Sequence, residues 1–574
     1  MSLLIGLLLP LSAANMQKIY SVDSPEYEAL ALLSIHQGLA LPSTAGPYSG
    51  DELVMIVRRI DAKQLQGPYK ELYEELVSSL APPEKSVTVT LNATLEGYLH
   101  SNTQDFTTDS DWNFNYQDRS PLLDIVLETS LGDYVYGYTS LPIQGSKFSY
   151  ETLDNSPDPV FFNFGSEVFS TNLGFFGNLS KELDMGVPYR AFGAIGGEHF
   201  SFQIGREQLS WGAGKTGNFM VGDHLKYHNT ARFSAYSDSF KYTLLTSFFP
   251  YPEDYYTKRV QIQTDLVQGL NMFLAHRIEW TLFQKKVGMA LSEAIIYQSK
   301  DNTFDLRILS PTAIFHNYYI KLHSNSLLSF EVDYTPINNL NVYSQVVLDE
   351  FAVPGAEGSP GVAPSADPGA WGVLAGVQGT FSMKDILLYG SIEGSYTNPY
   401  LSLRSKDGDK QQPNEAGINF IVAVPERFMN GYGVYYDEQF LGYRYGPDAI
   451  IINATLGAKK IGLWNVETNL FAMIHGTTDQ WTLFDKVTPP GGSNPYQSTP
   501  TTNHPTANAL DPQAHLRDRA STPIDLTLKG SYQVLPTLTL FAQGDYIWIK
   551  NPKNISSNPP IHDLQLSFGI RYTL

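Results

Sequence analysis

The sequence predicts a mainly β protein: a large antiparallel transmembrane β-barrel preceded by a small N-terminal helical module. Three observations carry this reading. The 574 residues include 35 Tyr, 31 Phe and 46 Gly with only 17% charged residues, yet the mean hydropathy is −0.19. A barrel shows lipid one face of each strand and keeps the other polar, so its average hydropathy stays unremarkable. Segments near both ends alternate apolar and polar residues with a period of two. Beyond the N-terminus, no window approaches the roughly 20 apolar residues that a spanning helix needs.

The elements follow in chain order. Leu3 to Leu11 is a short apolar core followed by Ser12-Ala13-Ala14, which reads as a secretory signal over 1–14, although no Lys or Arg precedes it. Residues 15–82 read as a helical module. Ser24-Pro25-Glu26 supplies an N-cap, a Pro at the first helical position and an early acid, and Gly38 supplies the stop. Ser49 with Glu52 makes a capping box ahead of Leu53, Ile56, Val57 and Ile60, which share one face. Pro68 opens a third helix carrying Tyr69, Leu72, Tyr73, Leu76 and Leu80.

From 83 to 574 the chain reads as barrel. Val87, Val89, Leu91, Ala93, Leu95 and Leu99 face one way, and Thr88, Thr90, Asn92, Thr94 and Glu96 the other. The same alternation runs through 524–534 and 564–574, where a last strand pairing with the first would close the wall, since an open edge cannot face lipid. A soluble sandwich also alternates, but so long a stretch with no helix to cover a second sheet fits one barrel better. At roughly 10 residues per strand plus connections, about 16–20 strands are expected. The Pro-, Gly- and Ser-rich stretches 353–370, 399–417 and 487–523 read as extracellular loops.

Several functions are disfavoured. Net charge is 38 − 58 = −20 with no basic run, which argues against nucleic acid. Cysteine is absent, so thiolate metal sites, Cys nucleophiles and disulfides are excluded. Trp211-Gly212-Ala213-Gly214-Lys215-Thr216 ends like a phosphate-binding loop, but Leu209 stands where the first Gly belongs and no helix follows. No G-x-S-x-G or H-E-x-x-H occurs. No catalytic residue, cofactor or metal is therefore assigned.

Charged residues remain within strand-like segments, among them Arg206, Glu207, His276, Arg277, Glu279, Glu293, Glu331, Asp333, Asp349 and Glu350. On a barrel wall they must point inward or sit at the rims, because an ionised side chain at mid-bilayer costs about 2–4 kcal/mol. Tyr134, Tyr136, Tyr138, Tyr546 and Trp548 read as interface girdle residues. Trp371, Tyr400 and Tyr496 are placed on outer loops, where rings could stack on sugars. Arg404, Lys406 and Lys410 would supply local positive charge for an acidic glycan.

The run Gln203 to Gly214 resembles the "GR…WGPG" signature of the Wzi-like capsule-assembly proteins. LAHRIEW (274–280), VGMALSEAIIY (287–297), DLRILSP (305–311), SNSLLSFEVDY (324–334) and VYSQVVLDEF (342–351) follow in that family's order, and the similarity covers about 24–351. Ala213 departs from the family's Pro, and Leu574 from its terminal aromatic. The resemblance implies an outer-membrane barrel of about eighteen strands with a small N-terminal periplasmic helical bundle beneath it, one that acts as a lectin and does no covalent chemistry. Arg206, Glu207, Trp211, Arg277, Glu293, Asp349 and Glu350 match its motifs and are expected to be mostly lumen-facing and structural.

The expected location is the outer membrane of a diderm bacterium. Expected partners are surface polysaccharide, outer-membrane lipid with its lipopolysaccharide, and the barrel-assembly machinery. Three roles stay open at this point: a non-enzymatic barrel that binds or anchors capsule or exopolysaccharide, a porin or channel for small solutes, and an envelope tether whose N-terminal helices bind the cell wall.

Overall fold

A computed structural model describes residues 16–81, 86–107, 111–115, 118–145, 168–177, 183–184, 190–226, 228–251, 260–261, 269–299, 309–310, 314–315, 324–350, 370–403, 418–429, 433–480, 482 and 516–574. The signal segment 1–14 lies outside them.

Lipid forces every strand edge to find a partner. Eighteen antiparallel strands satisfy this by closing into one barrel. The ring begins at Val87–His100 and ends at Ile561–Thr573, which pair with each other from His100 against Gln565 to Asn92 against Thr573. Two further short strands, Phe169–Thr171 and Leu183–Asp184, attach beside the wall, while Val135–Gly145 pairs directly with Ala191–Gly197 across them. The alternation read from the sequence is the alternation observed. Val89, Leu456 and Leu564 are about 60% exposed on the outer face, at 62%, 62% and 59%, whereas Gln565 and Ser567 on the inner face are buried.

Short turns at 237–239, 283–286, 338–339, 384–385 and 461–463 all fall at one end of the barrel. Longer connections fall at the other, so the short-turn end is periplasmic. Helices α1 (Pro25–His36), α2 (Gly50–Val57) and α3 (Pro68–Ser79) close the periplasmic end. None is long and apolar enough to cross a membrane.

Their caps follow the sequence. Ser24 accepts from the Tyr27 amide, and Pro25 opens α1. Gly38 takes φ +73° beyond its end, and a Cβ there would lie 2.7 Å from Asn338 Oδ1. Only half of the expected capping box forms. Ser49 accepts from the Glu52 amide, but the Glu52 carboxylate turns to Lys241 on the wall. Buried Leu30, Leu33, Leu53, Val57, Leu72 and Leu76 share one core, which also takes in Leu387 of the barrel. The His36 ring stacks on Tyr69 at 3.6 Å and its Nδ1 lies 2.8 Å from Asn339 Oδ1, locking α1 to a periplasmic turn.

Two of the tyrosines expected in the girdle are elsewhere. Tyr136 is buried in a lumen cluster with Ile19 and Phe192, and Tyr138 stacks on Phe192. The amphipathic ring can serve either surface, and here the N-terminal segment offers it a lumen partner.

Leu456→Arg places a charge on the lipid face in the interior of Ala449–Lys460. Urea titration of the folded protein in lipid should show a loss of about 2–4 kcal/mol.

Candidate functional site

The interior is crossed by two segments that meet inside the barrel. Residues 39–49, between α1 and α2, rise from the periplasmic end. The connection 208–226, between Phe200–Glu207 and His228–Tyr236, folds inward from the extracellular end. They join in a small two-stranded sheet, with Ser210 against Gly46 and Trp211 against Ala45.

Buried charge fixes the lower segment to one side of the wall. Lys241 Nζ donates to Glu52 at 2.6 Å and to Ser43 Oγ and the Ala45 carbonyl at 2.9 Å each. Arg277 is 1% exposed. Its guanidinium donates to Glu279 at 3.0 Å, to Thr44 Oγ1 at 2.6 Å and to both carboxylate oxygens of Glu331. Arg232 donates to the Pro47 carbonyl, and Asp333 accepts from the Leu41 amide at 2.8 Å. Two charges leave water for each such pair, and only this density of hydrogen bonds makes that tolerable.

The upper segment is held by carboxylates at its start and at its middle. Glu207, fully buried, accepts two hydrogen bonds from Arg190 Nε, at 2.8 and 3.0 Å, and one each from Gln203 and the Gln208 amide. Glu393 accepts from the Lys215 and Thr216 amides at 2.7 and 2.8 Å and from Tyr343. Gly212 takes φ +135° where a Cβ would stand 2.1 Å from Asn218 Oδ1, so the turn of the motif needs glycine. Trp211, Phe219, Met220 and Val221 then fill the upper lumen with Leu401, Phe420 and Leu441 from the connection 398–448.

The residues matched to the family motifs separate into three groups. Glu207, Trp211, Arg277 and Asp349 face the interior, and Asp349 accepts from the Ser402 amide. Arg206 takes the opposite face of its strand from Glu207, next to the strand's end. Glu293 also departs from the lumen-facing expectation. It lies on the outer face with His276, and the pair is shielded from lipid by Phe315, whose amide donates to Glu293 at 3.0 Å and whose ring packs on His276. Glu350 ends its strand, and its side chain lies outside the described residues.

Two of the glycan candidates need correction. Tyr400 is fully buried, because the connection after Ile386–Thr397 folds inward; its ring is not displayed. Trp371 is not on a loop. It sits in the strand Ala370–Met383, half-buried against Tyr396. Arg404, Lys406, Lys410 and Tyr496 lie outside the described residues.

The plug occupies one side of the lumen. On the other side a polar cavity of about 970 Å³ remains between the plug and the wall, reaching from Asp23 and Glu28 of the helical module to Arg444 and Asp525 above.

No family model and no curated protein matches this chain. Among solved structures it is similar to Wzi of Escherichia coli, described as a carbohydrate-binding outer-membrane barrel involved in group 1 capsule assembly. The likeness has a TM-score of 0.55 at 13% identity over 96% of this chain and 98% of that one. This chain has the fold of Wzi. The resemblance read from its motifs therefore holds at the level of fold, strand number included. The channel DcaP of Acinetobacter baumannii (TM-score 0.32, 7% identity, 85% and 97% covered) and OprD of Pseudomonas aeruginosa (0.36, 8%, 85% and 95%) are also similar, at scores too low to carry an argument. The protein is an outer-membrane barrel, as the Wzi-like closed ring requires.

Arg277→Ala leaves Glu279 and Glu331 buried without their cation. A loss of about 3–5 kcal/mol is expected in urea unfolding, with new conductance bursts in planar bilayers as the plug loosens. A separate pH effect lies outside the wall. Burial pushes the Asp51 carboxyl up to about 6, with His199 and Arg58 opposing. An acid raised in the folded state costs stability at pH 7, and that cost fades as pH falls through 6 toward the unfolded value of about 4. Asp51→Asn should raise Tm at pH 7, and melting curves should show the gap to the unsubstituted protein closing by about pH 4.

Proposed function

We propose that the protein is a non-enzymatic outer-membrane barrel that binds or anchors surface polysaccharide. The observation that carries this is the crossed lumen. Two segments and their buried ion pairs fill the side where a wide pore would run, and such a barrel serves a surface role better than bulk diffusion. The long extracellular connections are the natural place for a polymer grip, where many weak contacts along one chain add up through effective concentration. Wzi, whose fold is shared, carries the description carbohydrate-binding, which agrees with this reading.

One observation favours a second reading. The 970 Å³ cavity beside the plug could pass small hydrophilic solutes, and steady conductance in planar bilayers would support that channel. The tether role has less support, because the helices direct their apolar faces at each other and at Leu387 of the wall.

Deleting the gene should release surface polysaccharide into the medium, and the purified barrel should capture that polymer in a pull-down. Full retention by the deletion strain, with no capture by the barrel, would overturn the reading.

A further inference from the structure

The cavity beside the plug has a chemistry of its own. It is bounded by the inward connections on one side and by the strands from Ile386–Thr397 to Leu538–Lys550 on the other. Its volume, about 970 Å³, stands at the top of the range of about 300–1,000 Å³ usual for small-molecule sites.

Unpartnered groups of both signs face it. The Lys215 backbone is fixed by Glu393, yet its side chain projects into the cavity and makes no hydrogen bond or ion pair among the described residues. Arg444 lies over the Tyr445 ring at 5.4 Å and likewise has no ion-pair partner among the described residues. On the wall, the buried Asp525 Oδ1 has no hydrogen-bond donor. Beside these groups Tyr445 stacks on Phe471, with ring centroids 5.1 Å apart. Asn469 donates to Asn453 and Thr455, which holds a ladder of amide and hydroxyl groups along the wall.

A simple anion would suit the lining at Lys215 or Arg444 but not at Asp525, and a simple cation the reverse. A hydroxyl group both donates and accepts, so a polyhydroxylated chain lying along the cavity can answer groups of either sign. The Tyr445–Phe471 pair adds an apolar patch of the kind that meets the C–H side of a sugar. We propose that this chamber is a saccharide site that takes a short segment of the surface polymer inside the barrel. The inference rests on the polysaccharide reading above and adds a location for the grip, within the lumen beside the plug.

The test uses the full-length barrel in detergent. Its probe is the mixture of short fragments released by partial acid hydrolysis of the cells' own surface polysaccharide, titrated by calorimetry. The unsubstituted protein should bind fragments. Lys215→Ala and Asp525→Asn should each bind about tenfold more weakly, the loss of one charge-assisted hydrogen bond. Asn469→Phe, which removes a wall amide and narrows the chamber, should weaken fragment binding about tenfold while the folded barrel keeps its heat-modifiable migration on gels. Fragment binding unchanged in the three folded variants would overturn the chamber. So would fragment silence from a protein that still captures intact polymer, which leaves the surface role standing. Failure to capture either fragment or polymer would remove both.

Discussion

The rest of the structure depends on the pairing of Ile561–Thr573 with Val87–His100. A bilayer offers no water to an unpaired amide, so a sheet this large persists in lipid only if its first and last strands find each other. Closure then assigns every residue a side. Outward positions must be apolar, and inward positions are free to be charged, because they face protein or water. The buried Arg232, Lys241 and Arg277 follow from that freedom, and so does a plug that has something to hold.

Plug and wall are joined over very long sequence distances, as between Lys241 and Glu52 or Arg277 and Thr44. A flexible connector gains little from one such contact, since ordering its backbone costs about 1–2 kcal/mol per residue. The solution seen is convergence. Residues 43–45 receive hydrogen bonds from Lys241 and Arg277 within three positions, and the sheet contact with Ser210 and Trp211 adds backbone pairing from the opposite end. Each segment is ordered by the wall and then by the other.

The barrel was legible in the sequence because lipid imposes a strict period of two, and Val87–His100 and Ile561–Thr573 obey it visibly. The helix caps were legible for the same local reason. The plug was not, since nothing in 39–49 distinguishes a lumen segment from a surface turn until its partners, from Ser210 to Asp333 in the sequence, are in place. Some errors were avoidable. Phe202 and Ile204 mark the outer face of their strand, so Arg206 shares that face and Glu207 does not. Leu291 marks the outer face in the same way for Glu293. The motif singles out a set of residues, and parity within each strand tells which way they point. Tyr400 had no such signal, because the inward fold of its connection is set by Asp349 and the core around Leu401.

The two halves of the lumen differ in how charge is held. Against the plug, ion pairs are dry: Lys241 and Glu52 are 5% and 3% exposed. Removing one partner there strands a buried charge. Along the cavity, Lys529 and Glu467 form their pair at 50% and 18% exposure, where water screens the interaction and its contribution to stability is small. Lys215, Arg444 and Asp525 go further and have no ion-pair partner at all among the described residues. A barrel that needed charge only to brace its wall would have no reason to leave these three open on its hydrated side. The dry pairs hold the plug to the wall, and the cavity side carries a screened pair with charged groups of both signs facing the open space.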